Sequence, residues 1–591
     1  MPTLQRHTDE KAVFEWAQTV AGMEAKARLY LEFDGLLTMD FSVNPMGGEI
    51  DGLVVEFPIN PAVAQLFTRN NFCRETAASE TTVAKRGRIG DGLIMPVTCA
   101  LWLGDTSRGF QWCCETDQHW HIAERDHAIE IDPGKESLVL RLTVIDQPVR
   151  PTSPLTYRWG FIATPARETL PQFDHTLYYY QTNGSLLHFK TESDAQQALA
   201  DARAIGANWW NIFHWTELMG QPLSEDPELT AQLRRDVKRI RENGQKATGY
   251  SGWGVHTRAS WWPHFGPEMV RTPRRFVSGR YMQCTRSAYE DYCANGLVWM
   301  IQEIGFRGVY LDSTAWPAPC NDAHHGCGYI DPETGERIPT RSIWPTRRLF
   351  KRMYKILHGE VIDDGLVYSH AGQPPLMAIE SFVDVKHQGE GSYYAERLKD
   401  WFSLDQYLAH YNPKQYGYIV EHTWQNRATI ARNSVWGVSL LHDNSVKMYS
   451  SAVAHAYRRL KTYEKRYGIS WRMWAPRQWF VWENSRWYPY YENHDVVRVD
   501  AEDVFISFHI NDREQAILYL MNMGVEAAEA RVQLLTDKLG IPDRMAARDI
   551  VTGEDFEIHR GSLDLHILGE RPRVLVAAPR REDLPALDKD E

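Results

Sequence analysis

Residues 193–213 read Ser-Asp-Ala-Gln-Gln-Ala-Leu-Ala-Asp-Ala-Arg-Ala-Ile-Gly-Ala-Asn-Trp-Trp-Asn-Ile-Phe, and here the texture of the chain changes. Ala195, Ala198, Leu199, Ala202 and Ile205 fall on one helical face. Ser193 with Gln196 has the form of a capping box, and Gly206 stands where a helix stops. Residues 209–213 then read as a strand. The alternation continues: Asp226 caps a helix with Pro227 in its first turn, Leu229, Leu233 and Ile240 face inward, and Gly244 ends it. A later helix turns Tyr289, Tyr292, Cys293, Met300 and Ile304 inward and stops at Gly305. Strands are expected at 175–180, 209–213, 246–250, 308–311, 366–369, 382–386, 416–420 and 435–441. Eight strands with helices between them in about 300 residues are what a (β/α)8 TIM barrel requires. The competing doubly wound sheet needs a glycine-rich phosphate loop after its first strand, and Gln-Thr-Asn-Gly-Ser at 181–185 has no GxGxxG.

On either side the periodicity is two. Ala27, Leu29, Leu31 and Phe33 alternate with polar residues, and Leu37, Met39, Phe41 and Val43 do so after Gly35. Further strand-like runs are 53–57, 97–103, 109–114, 128–131 and 138–145, which together suggest an antiparallel sandwich. From 471 onward such runs return at 478–482, 497–499, 504–510, 516–521, 530–534 and 573–577. The expected organisation is an N-terminal β-sandwich over 1–169, a central catalytic (β/α)8 barrel over 170–470 and a C-terminal β-sandwich over 471–591. The length of 591 residues agrees with two to four domains.

Sixty-five Lys and Arg against 77 Asp and Glu leave a formal charge of −12, which argues against a nucleic-acid or anionic-membrane partner. No segment reaches the roughly 18 apolar residues of a membrane span, and the first residues carry no apolar signal core. The expectation is a cytoplasmic protein with reduced thiols at cysteines 73, 99, 113, 114, 284, 293, 320 and 327. A homo-oligomer is left open.

In a barrel the active site lies at the C-terminal strand ends. Asp312 ends the fourth strand in Gly-Val-Tyr-Leu-Asp-Ser-Thr. Glu390 lies beyond the sixth, Glu421 follows the seventh, Asp443 closes the eighth, and Glu217 sits further out past the second. Carboxylates surrounded by Trp215, Trp253, Trp316 and Trp424 suit glycoside hydrolysis, in which one carboxyl protonates the leaving oxygen and another stabilises or attacks the oxocarbenium-like centre. The tryptophans would stack on sugar rings. His214 and His256, past the second and third strands, are candidate hydroxyl-binding residues. Residues 316–329 form the densest unusual stretch. Cys320, His324 or His325, and Cys327 offer three zinc-type ligands, but the CxxC pair is missing and no fourth ligand is apparent, so no metal or other cofactor is assigned. A Cys320–Cys327 disulfide would need an oxidising environment. The plainest function of His324 and His325 is to bind substrate hydroxyls.

The stretches 308–317, Gly-Val-Tyr-Leu-Asp-Ser-Thr-Ala-Trp-Pro, and 320–329, Cys-Asn-Asp-Ala-His-His-Gly-Cys-Gly-Tyr, resemble glycoside-hydrolase-like proteins related to glycoside hydrolase family 123. So do residues 101–112, Leu-Trp-Leu-Gly-Asp-Thr-Ser-Arg-Gly-Phe-Gln-Trp, with Cys-Glu-Thr-Asp at 114–117. The resemblance implies the same order of sandwich, barrel and C-terminal β domain. Family 123 is known for β-N-acetylgalactosaminidases with an adjacent Asp-Glu pair, in which the substrate's acetamido group is the nucleophile. Here Ser313 follows Asp312, so the second carboxyl must come from another strand. An Asp on the fourth strand with an acid on the sixth also resembles several retaining α-glycosidase barrels. The expected roles are Asp312 as nucleophile or stabilising base and Glu390 as general acid/base, with Glu421 in reserve. The alternatives are a non-catalytic carbohydrate-binding protein and a metal-dependent hydrolase on the same barrel, the latter weakened because Tyr-Tyr-Tyr-Gln at 178–181 carries no His-x-His pair.

Overall fold

The computed structural model describes residues 2–20, 22–71, 86–134, 137–168, 178–181, 191–204, 208–213, 216–218, 220–252, 254–277, 279–388, 404–423, 446–449, 479–481, 483–522, 524–550, 552–569 and 572–586. At its centre is an eight-stranded sheet of β1 (Tyr178–Gln181), β2 (Trp209–Ile212), β3 (Lys246–Gly252), β4 (Gly308–Asp312), β5 (Leu366–His370), β6 (Val385–Gln388), β7 (Ile419–Thr423) and β8 (Val446–Tyr449). Every neighbouring pair is parallel, and the spatial order is the chain order from β1 to β8. A doubly wound sheet reverses its order at a switch point, whereas this sheet does not.

Helices join the strands. α1 (Glu192–Ala204) starts two residues earlier than the capping-box reading of Ser193: the Ala195 N–H bonds to the Thr191 carbonyl, while Ser193 lies inside the first turn. α2 (Pro227–Glu242) follows its expected signals. The Asp226 carboxylate accepts from the Glu228 and Leu229 N–H groups, and Leu229, Leu233, Val237 and Ile240 are buried. α3 (Tyr289–Trp299) continues through a wider turn, Met300–Ile304, to Gly305 in the left-handed region at φ 94°. α4 (Ile343–Lys355) and α5 (Leu404–Tyr411) complete the helices used below. Among the described residues, no helix is long and apolar enough to cross a membrane.

The expected strand positions hold for β2 to β5 and slip by about three residues for β6 and β7; of the first, 175–180, residues 175–177 lie outside the described residues and β1 begins at Tyr178. The eighth differs more. The apolar run at 435–441 lies outside the described residues, and β8 begins at Val446. Asp443 therefore precedes β8 instead of closing it.

N-terminal to this sheet, a nine-stranded antiparallel sheet is ordered Thr3–His7, Lys11–Val20, Met23–Glu32, Leu37–Asn44, Leu155–Thr164, Gly109–Cys114, Thr98–Gly104, Leu66–Asn71 and Arg86–Arg88. Facing it are Leu53–Ile59, Leu138–Ile145, Ile129–Pro133 and Leu93–Met95. Leu101, Trp112, Trp159, Leu140 and Leu142 fill the core between the two sheets. C-terminal to the parallel sheet, nine strands between Arg486 and Ala578 form one sheet around Phe508, Leu518, Val532, Ile558 and Leu575. No strand occupies the described residues of the 478–482 run, and Arg486–Tyr488 is the first strand there. The central core continues into both flanks, since Trp102 on one side and Ile517 and Val574 on the other belong to it.

Candidate active site

Register builds the site. Tyr250 of β3, Tyr310 of β4 and Tyr368 of β5 are direct partners in the ladder. All three are buried, and their rings pack in sequence at centroid separations of 5.3 Å and 4.5 Å. Two residues further along, on the same faces, comes the next row: Gly252, Asp312, His370 and His387. That row extends in register to Glu421 of β7 and Lys447 of β8. A tyrosine floor thus lies beneath a polar rim at the C-terminal strand ends.

Three side chains hold Asp312 on the rim. The Tyr250 hydroxyl donates to its Oδ2, and the Ser313 hydroxyl donates to its Oδ1 at 3.1 Å. His370 Nδ1 lies 3.3 Å from the same Oδ1. Burial pushes the carboxyl pKa upward, but the His370 ring, Tyr250 and Ser313 outweigh it and hold the group below the ordinary 3.8. Buried Arg280 adds attraction to both Asp312 and Tyr250, while burial lowers its own pKa.

Around Asp312 the backbone is specialised. Ser313 adopts φ 52°, and its N–H bonds to the His370 carbonyl at 2.7 Å. Gly252 lies at φ 93°, where a Cβ would stand 2.9 Å from the Asp312 carbonyl oxygen. The histidines of the rim stack, His370 on His387 at 4.4 Å. His387 Nδ1 meets the Tyr310 hydroxyl at 2.9 Å and the Tyr368 hydroxyl at 3.2 Å.

Of the residues expected from sequence, Asp312 stands at the centre of this arrangement. Glu421 is the third residue of β7, inside the strand, in register with His387. Glu390, His214, Trp215, Trp253, Trp424 and Asp443 lie outside the described residues. Trp316 packs against both the central and the sandwich cores, with the Arg341 guanidinium 4.3 Å from its ring centroid. His324 is exposed, and its N–H bonds to Asp322. His325 Nε2 meets the Glu268 carbonyl at 2.7 Å. His256 is buried, with a pKa lowered by burial, and accepts the Arg258 N–H through Nδ1. Glu217 is exposed and accepts from Ser224 and the Glu225 N–H in its own loop.

Sequence reading missed Tyr250, Tyr310, Tyr368, His370, His387 and Arg280. One signal was present: Val309-Tyr-Leu-Asp312 and Val367-Tyr-Ser-His370 share a Val-Tyr-x-polar ending, and Tyr250-Ser-Gly252 matches it in part.

No family model matches the chain, and no curated protein matches it. Solved structures with a similar chain path include an alpha-amylase from Geobacillus thermoleovorans, at 13% identity and TM-score 0.44, covering 70% of this chain and 99% of that one. A GH27 β-L-arabinopyranosidase from Geobacillus stearothermophilus matches at 11% identity and TM-score 0.41, covering 70% and 97%. The alpha-N-acetylgalactosaminidase NagBb from Bifidobacterium bifidum matches at 12% identity and TM-score 0.37, covering 88% and 89%.

Proposed function

We propose that the eight-stranded sheet closes as a (β/α)8 barrel and that the protein is a glycoside hydrolase acting on an oligosaccharide or glycan. The observation that carries this reading is the state of Asp312, a half-buried carboxylate kept ionised at the end of a central parallel strand by one histidine and two hydroxyl groups. An anionic oxygen placed at the open end of the sheet is what an oxocarbenium-like centre needs for attack or stabilisation. Its depressed pKa suits that role and not proton donation. The general acid/base is a second carboxyl, Glu390 beyond β6, with Glu421 on the rim row of β7 in reserve. The resemblance to the family 123 group agrees with a sugar substrate, while Ser313 after Asp312 argues against its acetamido-assisted mechanism.

The test is product release from a broad panel of aryl glycosides and natural glycans, comparing the natural chain with Asp312→Asn. Turnover should fall on the order of 10³-fold or more, because the substitution keeps shape and removes the charge. Turnover that survives the substitution would sink the assignment of Asp312. Sugar binding without turnover by either protein would favour a binding protein.

A further inference from the structure

Three thiols meet in the loops beside this site. The Sγ atoms of Cys284, Cys320 and Cys327 all lie within 4.8 Å of one another, and all three residues are buried. Cys284 lies between β3 and α3, and the other two lie between β4 and α4. Cys320 starts a short spacing, Cys320-x4-His325-x-Cys327, and His325 Nδ1 stands 3.9 Å from Cys320 Sγ. We propose that Cys284, Cys320, Cys327 and His325 form a tetrahedral Zn²⁺ site that clamps the loop after β3 to the loop after β4.

The spacing fits. With Zn–S near 2.3 Å and Zn–N near 2.0–2.1 Å, tetrahedral geometry puts sulfurs about 3.8 Å apart and sulfur about 3.6 Å from nitrogen. Cys284 and Cys327 Sγ are 3.7 Å apart. A disulfide would need about 2.05 Å and would leave the third thiol over. The supporting contacts also fit. A carbonyl oxygen only accepts, so Glu268 fixes the His325 proton on Nε2 and leaves the Nδ1 lone pair free toward Cys320 Sγ, as ligating histidines are oriented. The Thr272 and Asp322 N–H groups point at Cys320 Sγ at 3.4 and 3.5 Å. The Ser342 hydroxyl lies 3.9 Å from Cys284 Sγ and 3.8 Å from Cys327 Sγ. Three thiols packed only as small apolar groups have no need of such donors, whereas thiolates do. Three thiolates and a neutral imidazole leave one net negative charge on the Zn²⁺ centre, and Arg286 is close enough to attract Cys284 and Cys327. Four protein ligands close the coordination sphere, which makes the metal structural. The sequence expectation of no metal lacked its fourth ligand because Cys284 sits 36 positions before Cys320, in another loop.

The experiment uses the full chain, produced with ZnCl₂ in the medium, dialysed against metal-free buffer and measured for zinc per chain. One zinc per chain is expected. Replacement by Co²⁺ should give thiolate-to-cobalt charge-transfer bands and the strong visible bands of a tetrahedral centre. Cys284→Ser and Cys327→Ser should each weaken Co²⁺ binding by more than the roughly 10–100-fold that follows loss of a supporting hydrogen bond. His325→Gln should keep the charge-transfer bands and shift the visible ones. No zinc in a folded chain, or cobalt bands unchanged in Cys284→Ser, would overturn the site. A visible spectrum unchanged in His325→Gln would remove His325 from it. None of these readouts depends on glycan turnover.

Discussion

Asp312 keeps its charge against the upward push of burial. Burial favours the neutral acid, and the His370 ring and the Tyr250 and Ser313 hydroxyls reverse that preference. Tyr250→Phe removes the donor to Oδ2 and keeps the ring packed on Tyr310. The pKa of Asp312 should rise, so the acidic limb of the activity profile should move to higher pH, with a loss in kcat of about 10–100-fold. An unshifted limb would show that Tyr250 does not hold the carboxylate. Stability follows the same sign: a folded-state value below 3.8 means a contribution fully present above that pH and lost as pH falls through the folded value. Asp312 was legible because a carboxylate after four strand-forming residues marks a strand end. The tyrosine floor was not, because an inward tyrosine that packs and one that hydrogen-bonds have the same periodicity.

At the scale of elements, the Leu-Trp-Leu-Gly-Asp-Thr-Ser-Arg-Gly-Phe-Gln-Trp stretch at 101–112 is a hairpin of the nine-stranded sheet. Its glycines make room for Trp102, which is fully buried, donates to the Thr164 hydroxyl at 2.9 Å and contacts the Tyr416 ring at 5.1 Å. A Cβ on Gly109 would sit 2.5 Å from the Trp102 ring. Gly109→Ala should cost about 1–3 kcal/mol through overpacking, read as a lower urea midpoint at unchanged slope. An unchanged midpoint would mean that the indole moves aside freely. This stretch, which contributed to the family resemblance, is explained by packing. Gln111 in the same hairpin donates to the Pro375 carbonyl and accepts the Met377 N–H, tying the sheet to the chain before β6. Helix ends were legible at α2 and α3, where Asp226, Gly244 and Gly305 are local backbone signals.

For the whole molecule, one buried cation joins the sandwich to the helices around the parallel sheet. Arg347 of α4 holds both Asp34 oxygens, at 2.7 and 2.8 Å, reaches Glu32 at 2.9 Å and donates to the Ala378 carbonyl at 2.9 Å. Its side chain is 5% exposed and that of Asp34 is 6%. Arg347→Met strands the buried Asp34 carboxylate and should cost about 3–5 kcal/mol, whereas Arg347→Met with Asp34→Leu should recover much of it. Chemical denaturation of both variants checks this. Equal losses in the two would show that the clamp is not electrostatic. In the sequence, Arg347 belongs to a basic run that reads as a solvated helix face. Burial came from the approach of a sheet more than 300 residues earlier.

The sequence by itself determined what is local and periodic: period-two flanks, a central alternation of strand and helix, helix caps, and an aspartate at a strand end. Each depends on residues within about one turn or one pleat of each other. Only the tertiary structure decided the sequential order of the parallel sheet, the row that sets Asp312 beside His370, the depth at which Arg347 is buried, and the meeting of Cys284 with Cys320 and Cys327. Those depend on strand register and on which loops share one end of the sheet, and residues far apart in the chain carry no periodic signal of their proximity.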